Sequence, residues 1–326
     1  MNKLVIFICG LVMCTATVKA QDDFSKYFRE FKVESQNGKY GLVFRGEIAV
    51  PYEYDEIVAQ KNNGEYISKQ GDKYGAINVR TIYFAKGVDK DSWKGWKFPI
   101  EEKDKEGISA YLTASVIPCE FDEVKNVDGR YWVSKGNQKG VYTSGGSNIL
   151  KCEFDEIKNV DGRYWVSKDN QKGVYTSGGN NILKCEFDEI DVVGGRYWVS
   201  KGNRKGVYTS GGNTILKCDY DEIDVVGGRY WVSKGNQKGV YTSGGNNILK
   251  CEFDKIDVVG GRYWVSKGKL KGIYTSGGNT ILKCEFDKIE LTSDGKYIAH
   301  KDGEKSWYSS GGNKIASNSD IVYSTN

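Results

Sequence analysis

Histidine is all but missing from this chain: His300 is the single imidazole among 326 residues. Metal centres that need paired histidines are therefore excluded, and a Ser-His-Asp triad would have one candidate base, in a terminal segment where a solvated surface residue is the simpler reading. Proline is scarce, with three residues, and no run beyond residue 20 approaches the ~20 apolar residues of a membrane-spanning helix. No window keeps the three-and-four apolar spacing of an amphipathic helix, so nothing helical is expected beyond a turn around Phe24 to Phe31. Charge of one sign is missing too. The 47 Lys and Arg face 43 Asp and Glu, which argues against a nucleic-acid or anionic-membrane binder. The Cys-x-x-Cys spacing of zinc sites, the twelve-residue calcium loop and the glycine-aspartate nonapeptide are all absent.

What is present is a repeat. Cys119, Cys152, Cys185, Cys218, Cys251 and Cys284 stand 33 residues apart, each opening a near-copy of one block. A unit this short cannot bury an apolar face alone and must stack on its neighbours. Residues 1 to 20 stand apart: Lys3, the apolar run Leu4 to Val12 and the small-residue site Val18-Lys19-Ala20 form a secretory signal peptide pattern. Its removal takes away Lys3 and Lys19 and lowers the formal charge from +4 to +2. The expected location is secreted, periplasmic or at the cell surface, with no membrane insertion after cleavage.

Each block carries strand signals separated by glycine turns. Arg130 to Ser134, Gly140 to Thr143 and Asn148 to Phe154 are rich in aromatic and β-branched residues, with Asp128-Gly129, Gly136-Asn137 and Gly145-Gly146 at the turns. About three antiparallel strands per unit are expected. The fold class is all-β, a tandem repeat array of short antiparallel strands, forming an open solenoid or superhelix or else curving into a propeller-like ring. The organisation is a signal peptide (1–20), two divergent units with an insertion near 78–118 (21–118), five regular repeats (119–283) and a terminal capping repeat (284–326).

The stretch Asn37-Gly38-Lys39-Tyr40-Gly41-Leu42-Val43, followed by Val50-Pro51-Tyr52-Glu53-Tyr54-Asp55-Glu56-Ile57, resembles the bacterial WG (KWG) repeat family, as does Val116-Ile117-Pro118-Cys119-Glu120-Phe121-Asp122-Glu123-Val124. The resemblance covers most of residues 36 to 316 and implies a repeat scaffold in secreted or surface proteins. It departs at the family's Trp before Gly, which is Tyr40 and Tyr74 here and Lys139, Lys172, Lys205, Lys238 and Lys271 in the array.

Comparison with the divergent end units assigns roles. Ile67 and Ile298 stand where the array carries Trp132, Trp165, Trp198, Trp231 and Trp264, so a buried Trp ladder is favoured over an exposed sugar platform. Tyr131, Tyr164, Tyr197, Tyr230 and Tyr263 suit a strand position with an apolar ring and a bonded hydroxyl; with Arg130, Arg163, Arg196, Arg229 and Arg262 they are also the repeated surface candidates for binding. Gly140, matching Gly41 and Gly75, points to positive φ or to close approach of the next unit. The Asp-Glu pairs are expected to offset the Arg ladder, with inter-unit calcium as the lesser alternative. The six cysteines are expected as free thiols in packing slots rather than as three disulfides. The insertion (Trp93, Trp96, Phe98, Glu101, Glu102, Asp104) reads as a solvated loop before it reads as an enzyme site. The expected function is a non-enzymatic, multivalent protein- or glycan-interaction scaffold without cofactor or metal, or else a structural spacer at the cell envelope. Its partners are a protein or glycan at the envelope or outside the cell, with no nucleic acid, and the chain is expected to be a monomer.

Overall fold

A computed structural model describes residues 25–61, 64–85, 95–103 and 108–317, and the expected signal peptide lies outside them. The all-β reading holds. One helical turn, Ser25–Phe28, precedes a succession of small antiparallel sheets. No described helix is long and apolar enough to cross a membrane.

Each regular sheet has four strands, one more than the sequence suggested. The sheet at the centre of the array is Glu189–Val193, Arg196–Lys201, Arg204–Thr209 and Thr214–Tyr220, paired in chain order as a meander. The strand missed from sequence is the first. Its Glu-Ile-Asp-Val-Val segment reads as the tail of the preceding strand, but Asp188 breaks the run and turns the chain into a new sheet. The Asp188 backbone N–H donates to Ser200 O at 2.9 Å, and its carboxylate accepts the Gly202 N–H at 2.6 Å. Asp122, Asp155, Asp221 and Asp254 make the same pair of bonds in their own sheets, satisfying the tight turn between the second and third strands. The invariant aspartate is therefore a pivot, and this corrects the expectation that it offsets the arginines.

The chain divides into two compact units, Met1–Glu153 and Phe154–Asn326. In the second, consecutive sheets stack face to face. Val174, Leu183 and Phe187 of one sheet pack on Ile190, Tyr197 and Val199 of the next, with Trp165 and Tyr208 at the margin. The same cluster recurs as Val207, Leu216, Ile223, Tyr230 and Val232, and again as Val240, Leu249, Phe253, Ile256, Tyr263 and Val265. Because side chains alternate along a strand, Tyr197 and Val199 face back while Trp198 faces forward, so every inner sheet contributes to two cores.

Two glycine ladders make this stacking possible, each for a steric reason. At Gly206 φ is ordinary, but a β-carbon would lie 2.7 Å from the Cys218 backbone N, because a β-bulge opposite brings that strand inward. Gly140 and Gly173 share this constraint, so the close approach comes from the fourth strand of the same sheet and not from the next unit. At Gly212 φ is +87° and a β-carbon would fall on the carbonyl oxygen of Ile182 in the preceding sheet. No other residue type fits both conditions.

The first unit is built around Phe31, Leu42, Phe44, Tyr54, Ile77 and Leu112. The insertion is strand rather than solvated loop: Lys73–Ala85 pairs with Ile108–Phe121, and Phe98–Lys103 adds at the edge. Trp96 and Phe98 pack on Phe44, at ring separations of 6.0 and 4.7 Å. Glu101 and Glu102 lie within the edge strand, whereas Trp93 and Asp104 lie outside the described residues.

Candidate binding surface

The tyrosines taken from sequence as surface candidates are in the interior. Tyr131, Tyr164, Tyr197, Tyr230 and Tyr263 are 0 to 2% exposed, which removes them from contact with any ligand and corrects that assignment. Their second-strand position faces the core of the stacked sheets, and a buried phenol needs a partner. The arginines supply it. Arg163, Arg196, Arg229 and Arg262 each donate an Nη1–H to the phenol oxygen of Tyr197, Tyr230, Tyr263 and Tyr297 in the following sheet. The guanidinium carbons lie 5.5 to 5.8 Å from the same rings, within cation–π range. Arg130 is likewise half-buried. The two ladders expected to bind ligand are thus joined to each other, and their first task is to fasten one sheet to the next.

The tryptophans fit neither sequence reading fully. They are half-buried, with Trp165, Trp198, Trp231 and Trp264 edge-on to the next sheet's tyrosine at 5.9 to 6.0 Å. Part of each ring remains open, because the next sheet covers the third and fourth strands more than the first. At Trp264 this leaves a groove of about 270 Å³, lined by Lys255, Asp257, Ser266, Lys271 and Asp287 among others. Register places Lys255 beside Ser266 beside Lys271, and Asp257 beside Trp264, on one face. Lys255 pairs with Asp257 at 2.7 Å, and Lys288 across the groove pairs with Glu290 at 2.7 Å. Sequence reasoning noted that Lys271 replaces the family's Trp, but not that it faces this groove, since that depends on the unseen first strand.

The six described cysteines are free thiols, one per sheet, as expected from sequence. Cys152, Cys185, Cys218, Cys251 and Cys284 each donate to a backbone carbonyl across the hairpin, as Cys185 does to Gln171 O at 2.9 Å, whereas Cys119 lies 3.4 Å from Ser68 Oγ. Burial pushes Cys119, Cys152, Cys185, Cys218, Cys251 and Cys284 above the ordinary thiol range, which disfavours thiolate chemistry. Among the described residues no three His, Cys, Asp or Glu side chains group to hold a metal ion. His300, on the second strand of the terminal sheet, lies 3.2 Å from Glu290 of the first.

Residues 115–138, 140–171, 173–204, 206–237, 239–270 and 272–304 match, in tandem, the family described as WG containing repeat. No curated protein matches the sequence. Among solved structures, the chain is similar to PorZ, a bacterial surface component of the type-IX secretion system of Porphyromonas gingivalis, at 8% identity, over 60% of this chain and 32% of that one, with a TM-score of 0.20. It is similar to Hsv2p of Kluyveromyces lactis at 11% identity, over 82% of this chain and 99% of that one, with a TM-score of 0.21. The chain spans about a third of the length of PorZ, and at such scores the likeness does not extend to a shared arrangement of the whole molecule.

Proposed function

This chain belongs to the WG containing repeat family, and from that membership we propose that it is an exported, non-enzymatic scaffold that binds protein or glycan through many equivalent surfaces. One observation carries the reading: the same side of each of the five array sheets places a half-buried Trp, a Ser and a Lys together, as in Trp198, Ser200 and Lys205. A ligand that spans several sheets meets the same contacts at each, and linked weak contacts raise the effective concentration of the next. Export rests on Lys3, the Leu4 to Val12 run and Val18-Lys19-Ala20. The partner is a protein or glycan at the envelope or outside the cell, and the scaffold acts without cofactor.

A second reading, a structural spacer at the cell envelope, draws on the Arg-Tyr fastening, which repeats at every described sheet junction from Arg163 to Tyr297 and would stiffen the array. Binding of residues 21–326 to glycans, polyanions and envelope or host proteins, at low and at raised salt, separates the two. Retention that survives raised salt supports the scaffold, and no retention by any class supports the spacer.

A further inference from the structure

The groove at Trp264 differs in charge from its counterparts, and this deepens the scaffold reading, on which it rests. At the first position of the first strand the earlier sheets carry Glu123, Glu156, Glu189 and Glu222, whereas the last two carry Lys255 and Lys288. The corresponding positions around Trp198 are Glu189, Asp191, Asp221 and Glu222, with Lys205 as the lysine paired in register with Ser200. At Trp264 both flanking glutamates have become lysines. An array that otherwise copies itself closely has here lost the acidic excess of its other sheets, with Lys255, Lys271 and Lys288 balancing Asp257, Asp287 and Glu290.

The lining selects a class of ligand. Lys255 and Lys288 are neutralised by Asp257 and Glu290, while exposed Lys271 enters no such ion pair among the described residues. The two aspartates in the lining, Asp257 and Asp287, disfavour a dianionic phosphate, while exposed Lys271 is free to take a single carboxylate. A volume of about 270 Å³ suits one or two small rings rather than a folded protein element. The half-buried Trp264 offers an apolar ring to a ring's C–H face, and Ser266, Asp257 and Asp287 offer hydrogen-bonding groups to hydroxyls. We propose that the groove at Trp264 binds an acidic sugar, a pyranose bearing one carboxylate, with the ring on Trp264 and the carboxylate on Lys271.

The test titrates the full chain with trigalacturonate, its neutral galactose counterpart and a short polyglutamate, following tryptophan fluorescence and calorimetry. Three variants are compared: Lys271→Gln, the double variant Lys255→Glu with Lys288→Glu, which restores residues the other sheets carry, and Trp264→Ile, which matches Ile298. Trigalacturonate is expected to bind saturably, at least tenfold tighter than the neutral sugar or polyglutamate, and to weaken at least tenfold in all three variants. No saturable trigalacturonate binding, equal affinity for polyglutamate, or unchanged affinity in Lys271→Gln would overturn the assignment. Deleting residues 189–254 in phase leaves this groove in place, so it separates the two readings. Trigalacturonate affinity kept, with no loss for long polymers, would leave the groove standing and sink the multivalent scaffold; polymer affinity lost, with Lys271→Gln unaffected, would do the reverse.

Discussion

Arg196 donates from Nη1 to the phenol oxygen of Tyr230, 34 residues on and one sheet away, with its guanidinium carbon 5.6 Å from the ring centroid. The bond satisfies a buried hydroxyl, and the contact repeats at every described sheet junction from Arg163 onward. Tyr230→Phe keeps the ring but removes a hydrogen bond to a charged group, for an expected cost of about 1.5–3 kcal/mol. Arg196→Met strands the same hydroxyl and is expected to cost a similar amount. The two losses should not add in a double-mutant cycle read by urea unfolding. Full additivity would show that the pair does not interact.

Two neighbouring glycines give an internal control. Gly206→Ala places a β-carbon 2.7 Å from the Cys218 backbone N and is expected to cost about 1–3 kcal/mol or more. Gly211→Ala, whose nearest atom would be Thr209 Oγ1 at 3.9 Å, is expected to fall within ~0.5 kcal/mol of the parent. Thermal unfolding of the two purified variants checks the contrast, and equal melting temperatures would contradict the bulge geometry.

Stability should hold across neutral pH and fall at both ends. The Lys296 ammonium, with the Thr292 hydroxyl, holds the Asp294 carboxyl at about 2, and Lys73 with the Gly136 N–H lowers Asp122. A lowered carboxyl stabilises the fold above its ordinary value of 3.8, and that contribution is lost as pH falls toward about 2. These groups are exposed, so each contributes little. At the other end, the six thiols raised by burial favour the fold below the ordinary value of 9.0, and the contribution is lost as pH rises past it. Melting temperature against pH should show a plateau between these limits; a maximum at pH 3 or pH 10 would contradict it.

The same burial slows thiol chemistry. Residues 21–326 hold six cysteines, all free. Ellman's reagent at pH 8 should react slowly with the folded chain and reach six thiols per chain when denaturant is added without reductant. Fewer than six in the unfolded chain would mean that disulfides form.

Much of this fold was legible in the sequence because a 33-residue period leaves few alternatives: strand content, the cysteine spacing and the steric demand at Gly140 follow from local pattern. What was not legible depends on which faces meet. Tyr131 and its equivalents could be read either as strand phenols with a bonded hydroxyl or as surface candidates, and only the stacking of the sheets, which encloses them at 0 to 2% exposure, decides for the first. The first strand was hidden because Glu-Ile-Asp-Val-Val follows Cys-Glu-Phe-Asp with no glycine or proline turn between them, and only the Asp188 pivot shows that the chain has entered a new sheet. Without that strand, Lys255, Ser266 and Lys271 could not be placed on one face, and the groove at Trp264 could not be foreseen.

The central claim is that binding grows with the number of sheets. The direct measurement compares, by surface-immobilised titration, the affinity of residues 21–326 for an extended glycan or protein partner with that of the same chain lacking residues 189–254. That deletion joins Asp188 to Lys255 in phase, so Arg163 and Asp188 exchange Tyr197, Ser200 and Gly202 for the equivalent Tyr263, Ser266 and Gly268. The account predicts a fall of tenfold or more for the extended partner, with the melting temperature nearly unchanged. Equal affinity of the two chains would contradict it.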